Sequence, residues 1–219
     1  MRIDPSGLPF IATAAAAAAV LALFQLTVPA VLFLVFAAFF TFFFRDPERR
    51  ISVDSSVVLS PADGRVLVAG DAERESAPPG EWRQISIFLS PLDVHVNRVP
   101  ISGRVIRVDY RRGRFLPAYR TGAGAQNECN EIWVDHAGQT IVFRQVVGIL
   151  ARRIVARVAP GAEVRAGQRF GIMKFGSRMD VFLPLTASLR VKKGDRVRGG
   201  ETVLAVLGNR PAATAVEQN

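Results

Sequence analysis

The sequence predicts a mainly β domain, built as a compact barrel or sandwich and preceded by a hydrophobic helical hairpin. Residues 8–44 contain no charged side chain, although the chain of 219 residues has 28 Lys and Arg. After this segment, short β-rich runs alternate with Gly, Pro and Asp turns. A glycine-valine pattern also occurs twice, at 158–170 and at 191–203. These observations divide the chain into 1–50, a membrane hairpin with a basic flank, and 51–219, a β-rich domain.

The apolar segment 8–44 has the length of two short membrane-crossing helices. One crossing needs about 20 apolar residues, so the 37 residues of this segment are too many for one helix. Polar residues and proline interrupt the series near Gln25–Pro29, and we expect the break there. The series runs directly into "RDPERR" (45–50), unlike a cleaved signal peptide, so we expect it in the mature protein. A helix buried in a soluble core is disfavoured, because one small domain cannot cover so many apolar residues.

Flanking charges predict how this hairpin is oriented. Arg2 lies before it, and Arg45, Arg49 and Arg50 lie after it. Flanks rich in Lys and Arg favour the cytoplasmic side of a membrane. We therefore expect the β-rich domain at the cytoplasmic face of the cell membrane. Both a spanning hairpin and a peripheral one satisfy this charge pattern.

The formal charge of +9 is concentrated in residues 104–120, which hold six arginines and one acidic residue. Tyr110, Phe115 and Tyr119 lie among these arginines. Beside a membrane hairpin, such a mixture favours an anionic membrane surface as the partner; the alternative is a solvated basic loop. Nucleic acid would use the same charges, but the hairpin makes it the poorer interpretation, and we predict none.

Cysteine and histidine usage excludes two further classes of site. Cys129 is the single cysteine, so no intramolecular disulfide can form. His95 and His136 are the two histidines, too few for a histidine-rich zinc site, and we predict no metal. The sequence also has no dinucleotide-binding or phosphate-loop motif. His136, in "DHAGQT", is typical of a hairpin turn, and we assign it no role.

The two glycine-valine segments align at an offset of 33 residues. Glycines at fixed turn positions supply positive φ angles, and the valines between them fill a core face. These half-motifs resemble the biotinyl/lipoyl-like barrel-sandwich fold, in which a hairpin between the halves presents a modified lysine. Here that hairpin is "IMKFGSRMD" (172–180), which makes Lys174 the candidate lysine of a membrane-tethered carrier or adaptor module. This alternative does not explain the Gly176-Ser177 pair that follows.

A second resemblance extends from about residue 45 to 208 and accounts for that pair. Five blocks carry it in chain order: "SPADGRV" (60–66), "SPLDVHVNRVP" (90–100), "NECN" (127–130), "ARRIV" (151–155) and "FGSRMDVFLP" (175–184). Together with the N-terminal hairpin, they resemble the short, membrane-associated bacterial form of the phosphatidylserine decarboxylase family. The resemblance implies a carboxy-lyase that converts phosphatidylserine to phosphatidylethanolamine and CO2 with a covalent pyruvoyl group.

The same resemblance implies autocatalytic serinolysis between Gly176 and Ser177. The Ser177 hydroxyl would attack the Gly176 carbonyl, leaving a β chain (1–176) and an α chain (177–219) that begins with the pyruvoyl cofactor. This group would take the substrate amine as a Schiff base and withdraw the electrons left when CO2 departs. We expect the α and β chains to stay associated through the shared barrel, and a higher oligomer is compatible with this pattern.

Two further residues are site candidates through this resemblance. His95 occupies the position of a histidine implicated in decarboxylation, and Asp63 that of an aspartate that assists self-cleavage. Longer members of the family carry a second histidine where this chain has Arg98, and arginine cannot act as a base at neutral pH. Either His95 serves in both steps, or Asp63 and a water activate Ser177. Cys129 stands where the short form usually has arginine, so a neutral side chain replaces an anion-binding one.

Overall fold

The described chain consists of an N-terminal helix pair followed by a mainly β domain. The computed structural model describes residues 2–52, 54–120, 122–149, 153–173 and 177–208. The helices are a 3-10 turn (Pro5–Gly7), α1 (Leu8–Leu23), α2 (Thr27–Phe43) and α3 (Ala123–Gln126). The strands are β1 (Arg2–Ile3), β2 (Arg45–Asp46), β3 (Val57–Leu59), β4 (Gly64–Asp71), β5 (Arg83–Leu89), β6 (Val96–Arg98), β7 (Gly103–Arg111), β8 (Cys129–His136), β9 (Gln139–Val147), β10 (Ile154–Ala156), β11 (Glu163–Val164), β12 (Arg169–Met173), β13 (Ser177–Leu183), β14 (Ser188–Leu189), β15 (Arg196–Val197) and β16 (Val203–Val206).

Helices α1 and α2 pack against each other as the predicted hairpin. Helix α1 contains six consecutive alanines, the residue with the highest helix propensity. Residues 24–26 connect the helices, and Gln25 adopts a left-handed φ of 56° in this turn. Pro29 lies in the first turn of α2, where proline is tolerated, so the break is shorter than predicted. The segment Pro5–Leu23 is long and apolar enough to cross a membrane, and Thr27–Phe43 is a shorter apolar helix.

The base of the hairpin is packed into the β domain. Strand β1 pairs with β2 and so joins the two ends of the hairpin. Phe43 and Phe44 are fully buried in an apolar cluster that side chains of β6 and β12 complete. Burying one phenylalanine side chain contributes about 2–3 kcal/mol, so these contacts hold the hairpin firmly. The packing runs across the predicted boundary between residues 50 and 51, and that boundary remains a prediction.

An eight-stranded antiparallel sheet forms the body of the domain. Its strand order is β11-β7-β8-β9-β13-β5-β4-β15, and two three-stranded sheets, β10-β12-β6 and β14-β16-β3, accompany it. One apolar core collects buried side chains from all three sheets, including Val181 of β13, Met173 of β12 and Leu204 of β16. The prediction of a mainly β barrel-sandwich domain after a helical hairpin is confirmed.

The glycine-valine repeats occupy the two edges of the large sheet. The first repeat supplies β11 at one edge, and the second supplies β15 at the other. Val164 and Val197, the repeated valines, are each 3% exposed and belong to the core. The turn glycines adopt the predicted positive φ angles: Gly161 (88°), Gly167 (76°), Gly194 (96°) and Gly200 (79°).

The hairpin expected at 172–180 is not formed by the strands on either side of it. Strand β12, which ends at Met173, pairs with β6 and β10, whereas β13, which begins at Ser177, pairs with β5 and β9. The chain therefore passes from one sheet to another between these two strands. Lys174 and Gly176 lie outside the described residues.

Candidate active site

Ser177 is the first residue of β13, the strand at the centre of the large sheet. Its Cα partners are Leu89 on β5 and Val147 on β9, so neighbouring strands enclose it on both sides. The residue is fully buried, and its hydroxyl has no hydrogen-bond partner within the described part of the chain. Leaving such a group unpaired costs about 1–3 kcal/mol, so each case needs an explanation, and a catalytic role is one of them. No described residue holds the Ser177 hydroxyl in a hydrogen bond, so the hydroxyl can act as a nucleophile.

His95 lies between β5 and β6 and is also fully buried. Its Nδ1 donates to the carbonyl of Asp93 at 2.9 Å, because a carbonyl can only accept. The imidazole ring packs on Phe43, with ring centroids 4.2 Å apart. Burial lowers the pKa of His95 to about 4, although the Asp93 carbonyl opposes this. His95 is therefore neutral at pH 7, with a proton on Nδ1 and a lone pair on Nε2.

Backbone contacts bring His95 close to the start of β13. The Met173 amide donates to the His95 carbonyl at 3.4 Å, at the end of β12. Four Cα–Cα steps separate Met173 from Ser177, a chain length that spans at most about 14 Å. The predicted nucleophile and the predicted histidine therefore lie at the same end of the barrel.

Asp63 lies in the turn between β3 and β4, and its carboxylate is held by hydrogen bonds. Its carboxylate accepts hydrogen bonds from Arg49 Nη2, at 2.8 and 3.0 Å, and from the Gly199 amide at 2.7 Å. Arg49 also lies 3.6 Å from Glu201. The side chain of Asp63 is 18% exposed. Asp63 thus joins the segment after the hairpin to the turn before β16.

Arg98 is a buried side chain that holds two segments of the chain together. Its Nη2 donates to Asp46 at 2.7 Å, and its Nη1 donates to the Gly167 carbonyl at 3.1 Å. Arg169 forms a second ion pair with Asp46. The guanidinium therefore ties β2 to the first glycine-valine repeat. This chain uses the position for packing, and no base is available there.

A buried chain of three amide side chains was not predicted. Asn130 Nδ2 donates to Gln145 Oε1 at 3.3 Å, and Gln145 Nε2 donates to Asn97 Oδ1 at 2.8 Å. Asn97 lies two residues after His95, and Gln145 pairs with Met179, two residues after Ser177. Two residues span about 7 Å along a strand, so these amides form the row next to His95 and Ser177.

The end of this amide chain is a buried donor. Asn97 Nδ2 has no hydrogen-bond partner among the residues that the structure describes. Asn130 and Gln145 both donate toward Asn97, so the group left at this end is N–H rather than C=O. Asn97 and Asn130 fall inside the blocks "SPLDVHVNRVP" and "NECN", so the sequence could have indicated these two as site residues. Gln145 falls in neither block, and nothing in the sequence indicated it.

The opposite face of β13 carries a buried ionic cluster that was also missed. Arg178 Nε donates to Asp180 Oδ1 at 2.5 Å, and Arg178 Nη2 donates to Ser86 Oγ at 2.9 Å. Arg144, on the neighbouring β9, forms an ion pair with Glu131. Buried charges need such partners, because an unpaired buried charge is strongly destabilising. The cluster fixes the strand that begins with Ser177.

Cys129 and His136 have structural positions. Cys129 is buried, and burial raises the pKa of its thiol, so it stays neutral at pH 7. His136 ends β8 beside a two-residue turn in which Ala137 and Gly138 both have positive φ, which confirms the predicted hairpin turn. Within the described ranges, no group of three or more His, Cys, Asp or Glu side chains is placed to hold a metal ion.

Comparison with known proteins supports the resemblance carried by the five sequence blocks. The family model described as phosphatidylserine decarboxylase matches residues 36–205. Relatives that bear the name phosphatidylserine decarboxylase proenzyme include the following three. The protein of Geotalea uraniireducens (strain Rf4) is 45% identical over 94% of this chain and 96% of its own length. That of Desulfotalea psychrophila is 41% identical over 90% and 93%, and that of Geobacter metallireducens is 43% identical over 94% and 96%. The matched region contains Asp63, His95 and Ser177, and the chain belongs to the phosphatidylserine decarboxylase family.

Proposed function

We propose that the protein is a self-cleaving proenzyme that decarboxylates phosphatidylserine to phosphatidylethanolamine and CO2 through a pyruvoyl group made from Ser177. The observation that carries the proposal is the buried Ser177 hydroxyl at the start of β13, which has no partner among the described residues and lies at the same end of the barrel as a neutral His95. The family to which the chain belongs gives this pair its chemical meaning. A hydroxyl that no described residue engages can attack the preceding carbonyl.

Self-cleavage begins when Ser177 Oγ adds to the Gly176 carbonyl carbon and gives its proton to a base. Collapse of the tetrahedral adduct breaks the C–N bond, protonates the amine and leaves an ester. Loss of the Ser177 α proton then expels the Gly176 carboxylate; water enters and ammonia leaves as the pyruvoyl group forms. Ser177 fits this role because it supplies all the carbon atoms of the group and lies at the terminus of a strand fixed on both sides.

The strand pairing supports continued association of the two products, the β chain 1–176 and the α chain 177–219. Strand β13 of the α chain lies between β5 and β9 of the β chain. Strands β15 and β16 of the α chain also pair with β4 and β3 of the β chain. Separating the chains would break four strand pairings and open the common core. The cleaved enzyme should therefore remain one folded unit.

His95 is our candidate for proton transfer in catalysis. A pyruvoyl group supplies a ketone carbonyl that binds the substrate amine and withdraws electrons as CO2 leaves. The Nε2 lone pair of neutral His95 can accept a proton from substrate or from Ser177, and the protonated ring can return it to the decarboxylated carbon. The Asp93 carbonyl holds the ring in the tautomer that this requires.

Asp63 is our candidate for assisting self-cleavage. Its contacts with Arg49 and the Gly199 amide support an indirect contribution, in which the carboxylate fixes the turn before β16 and the segment after α2. A direct one, in which Asp63 acts through a water, would require the carboxylate to exchange one of these partners. Variants of Asp63 and His95 show which of the two residues self-cleavage requires and which decarboxylation requires.

The hairpin supports a membrane location at the cytoplasmic face. Its outer surface is apolar, and Arg2 and Arg45 lie at its base. Arg45 lies 3.8 Å from the centre of the Phe42 ring and donates to the carbonyl of Leu92, whose own side chain is exposed. Cationic and aromatic groups at the base of a membrane hairpin suit an anionic lipid surface. Anchoring would keep the enzyme in the plane that holds its lipid substrate.

An activity assay with chemical trapping tests the proposal. Purified protein is incubated with phosphatidylserine vesicles, and CO2 release is measured with and without borohydride, which reduces a ketone. We expect release that borohydride and Ser177→Ala both abolish. Release that is insensitive to borohydride would overturn the pyruvoyl assignment, and a cleaved protein that releases no CO2 would overturn the substrate. An intact chain with a mass added on Lys174 would support the carrier alternative.

A further inference from the structure

An apolar groove of about 430 Å³ lies between the two helices of the hairpin. Its lining includes Phe10, Thr13 and Ala14 of α1 and Phe33, Phe36 and Phe40 of α2. Thr13 is the one residue among these six with a polar side chain, and no charged side chain lines the groove. Such a lining suits a hydrocarbon ligand and offers nothing to a charged one.

The groove runs along the hairpin, starting at the base that packs against His95. Phe40 is near the base, and Phe33 lies seven residues earlier in α2, or about 10 Å farther along the helix axis. At the base, the Phe10 ring lies 5.5 Å from the Phe40 ring and 5.6 Å from the Phe44 ring. Phe44 contacts Phe43 at 5.1 Å. A continuous series of aromatic contacts therefore connects the groove with Phe43.

Phe43 completes the connection, because its ring packs on the imidazole of His95 at 4.2 Å. One side of the proposed reaction centre is thus built from the end of α2. The groove starts from this wall and points away from the β domain, toward the connection between α1 and α2. In a membrane, this direction leads from the interface into the hydrocarbon region.

We propose that the groove between α1 and α2 binds one acyl chain of the phosphatidylserine substrate, which places the serine headgroup beside His95. This inference rests on the proposed function. It commits to an acyl chain because the groove is apolar, lies in the segment expected within the bilayer, and is continuous with the reaction centre. The lipid is then oriented as it lies in a bilayer, with the headgroup at the interface and the chain along the hairpin.

The groove acts mainly by positioning the substrate. An acyl chain in a bilayer already has apolar neighbours, so moving it into a protein groove gains packing contacts rather than hydrophobic transfer. A short-chain lipid that enters from water also gains the transfer term, about 0.8 kcal/mol for each methylene, or about 4-fold in kcat/KM. Water-soluble substrates are therefore the more sensitive probe.

The test compares a variant that fills the groove with a matched one that does not. Thr13→Phe adds a ring at an exposed position that lines the groove, whereas Ala15→Phe adds the same ring at an exposed position of α1 outside the lining. Both enzymes are assayed in the same detergent with monomeric dihexanoyl phosphatidylserine and with glycerophosphoserine, which has no acyl chain. The readout is the ratio of kcat/KM for these two substrates.

We expect Thr13→Phe to lower this ratio by about 4-fold or more, the contribution of one or more displaced methylenes, and Ala15→Phe to keep the wild-type ratio. An unchanged ratio in Thr13→Phe, or an equal fall in both variants, overturns the acyl-chain site.

A second readout is independent of turnover. Uncleaved Ser177→Ala protein is photolabelled with phosphatidylserine that carries a diazirine in one acyl chain, and the labelled peptides are mapped. We expect labelling at 9–14 or 33–40 that Thr13→Phe, introduced into the same background, removes. Labelling only elsewhere, or labelling unaffected by the added ring, overturns the site. If the wild-type enzyme releases no CO2 from phosphatidylserine vesicles, the proposed function fails, and this labelling alone decides whether the groove binds an acyl chain.

Discussion

Replacing Phe43 by alanine should raise the pKa of His95. The Phe43 ring packs on the imidazole at 4.2 Å and keeps water from it, and burial is the main cause of the low pKa of about 4. The difference from the ordinary value of 6.5 corresponds to about 3 kcal/mol at about 1.4 kcal/mol for each pH unit. Phe43→Ala opens a cavity beside the imidazole and admits water. Hydration then stabilises the protonated ring, and the pKa of His95 should move back toward 6.5. Phe43→Leu keeps the surroundings apolar and should preserve the low pKa.

The same shift has a consequence for stability. In the unfolded chain, His95 takes up its proton near pH 6.5, whereas in the folded protein it does so near pH 4. The unfolded state therefore binds more protons between these values, and the free energy of unfolding falls as the pH falls from 6.5 to 4. The loss attributable to His95 is about 3 kcal/mol. In Phe43→Ala this pH-dependent loss should be smaller, although the cavity itself costs about 3–5 kcal/mol at all pH values.

Histidine NMR measures this directly, because the chain has only two histidines. Protein labelled at histidine is titrated in detergent, and His136→Gln assigns the two sets of signals. We expect the His95 signals to titrate near pH 4 in the wild type and in Phe43→Leu, and markedly closer to 6.5 in Phe43→Ala. Titration of wild-type His95 near 6.5, or no change on removing the ring, would refute the argument that Phe43 desolvates the imidazole.

Three further predictions concern cleavage and packing. His95→Ala and Asp63→Asn should both remain uncleaved on gels; a cleaved His95→Ala with roughly 10²–10⁴-fold lower turnover would instead confine His95 to decarboxylation. Gln145→Leu leaves its two amide partners unsatisfied in the core, and urea unfolding should show a loss of about 2–3 kcal/mol; a neutral effect would show that the amide chain is not needed for stability. Gly167→Ala should destabilise by about 1 kcal/mol more than Gly161→Ala, because the added methyl would lie 2.5 Å from the exposed side chain of Ile51, which must move aside, whereas nothing lies within 4 Å at Gly161. Equal losses would leave only the cost of the positive φ at both sites.

Patterns that are local in sequence predicted much of the architecture. The uncharged segment 8–44 became α1 and α2 because apolar length and alanine content determine helices directly. Gly161 and Gly194 have positive φ because a tight turn needs it whatever the rest of the fold does. The β character of the domain followed in the same way from alternating apolar residues and turns.

Features that depend on pairing between distant segments were not predicted. The run "IMKFGSRMD" has the composition of a hairpin, but its two halves pair with different sheets, and composition does not encode the choice of partner. Phe43 belongs to an apolar helix by sequence, and only the fold places its ring on His95. The amide chain likewise needs Asn97, Asn130 and Gln145 from three strands.

For the site, sequence and structure contributed different information. The five blocks selected Ser177, His95 and Asp63 through resemblance to a family. The structure adds that the Ser177 hydroxyl has no partner among the residues it describes and that His95 is neutral, whereas Asp63 engages Arg49. It also gives Arg98 a structural role, since its buried guanidinium donates to Asp46.

Intact-mass spectrometry of the purified protein tests self-cleavage before Ser177. We expect two chains in the wild type, 1–176 and 177–219, with a pyruvoyl group in place of an amino group on the shorter chain. Ser177→Ala should give one chain near 23.8 kDa, and Ser188→Ala, a serine in the same product, should cleave normally. A single full-length chain in active wild-type protein, or a 43-residue fragment from Ser177→Ala, would rule out a pyruvoyl group made from Ser177.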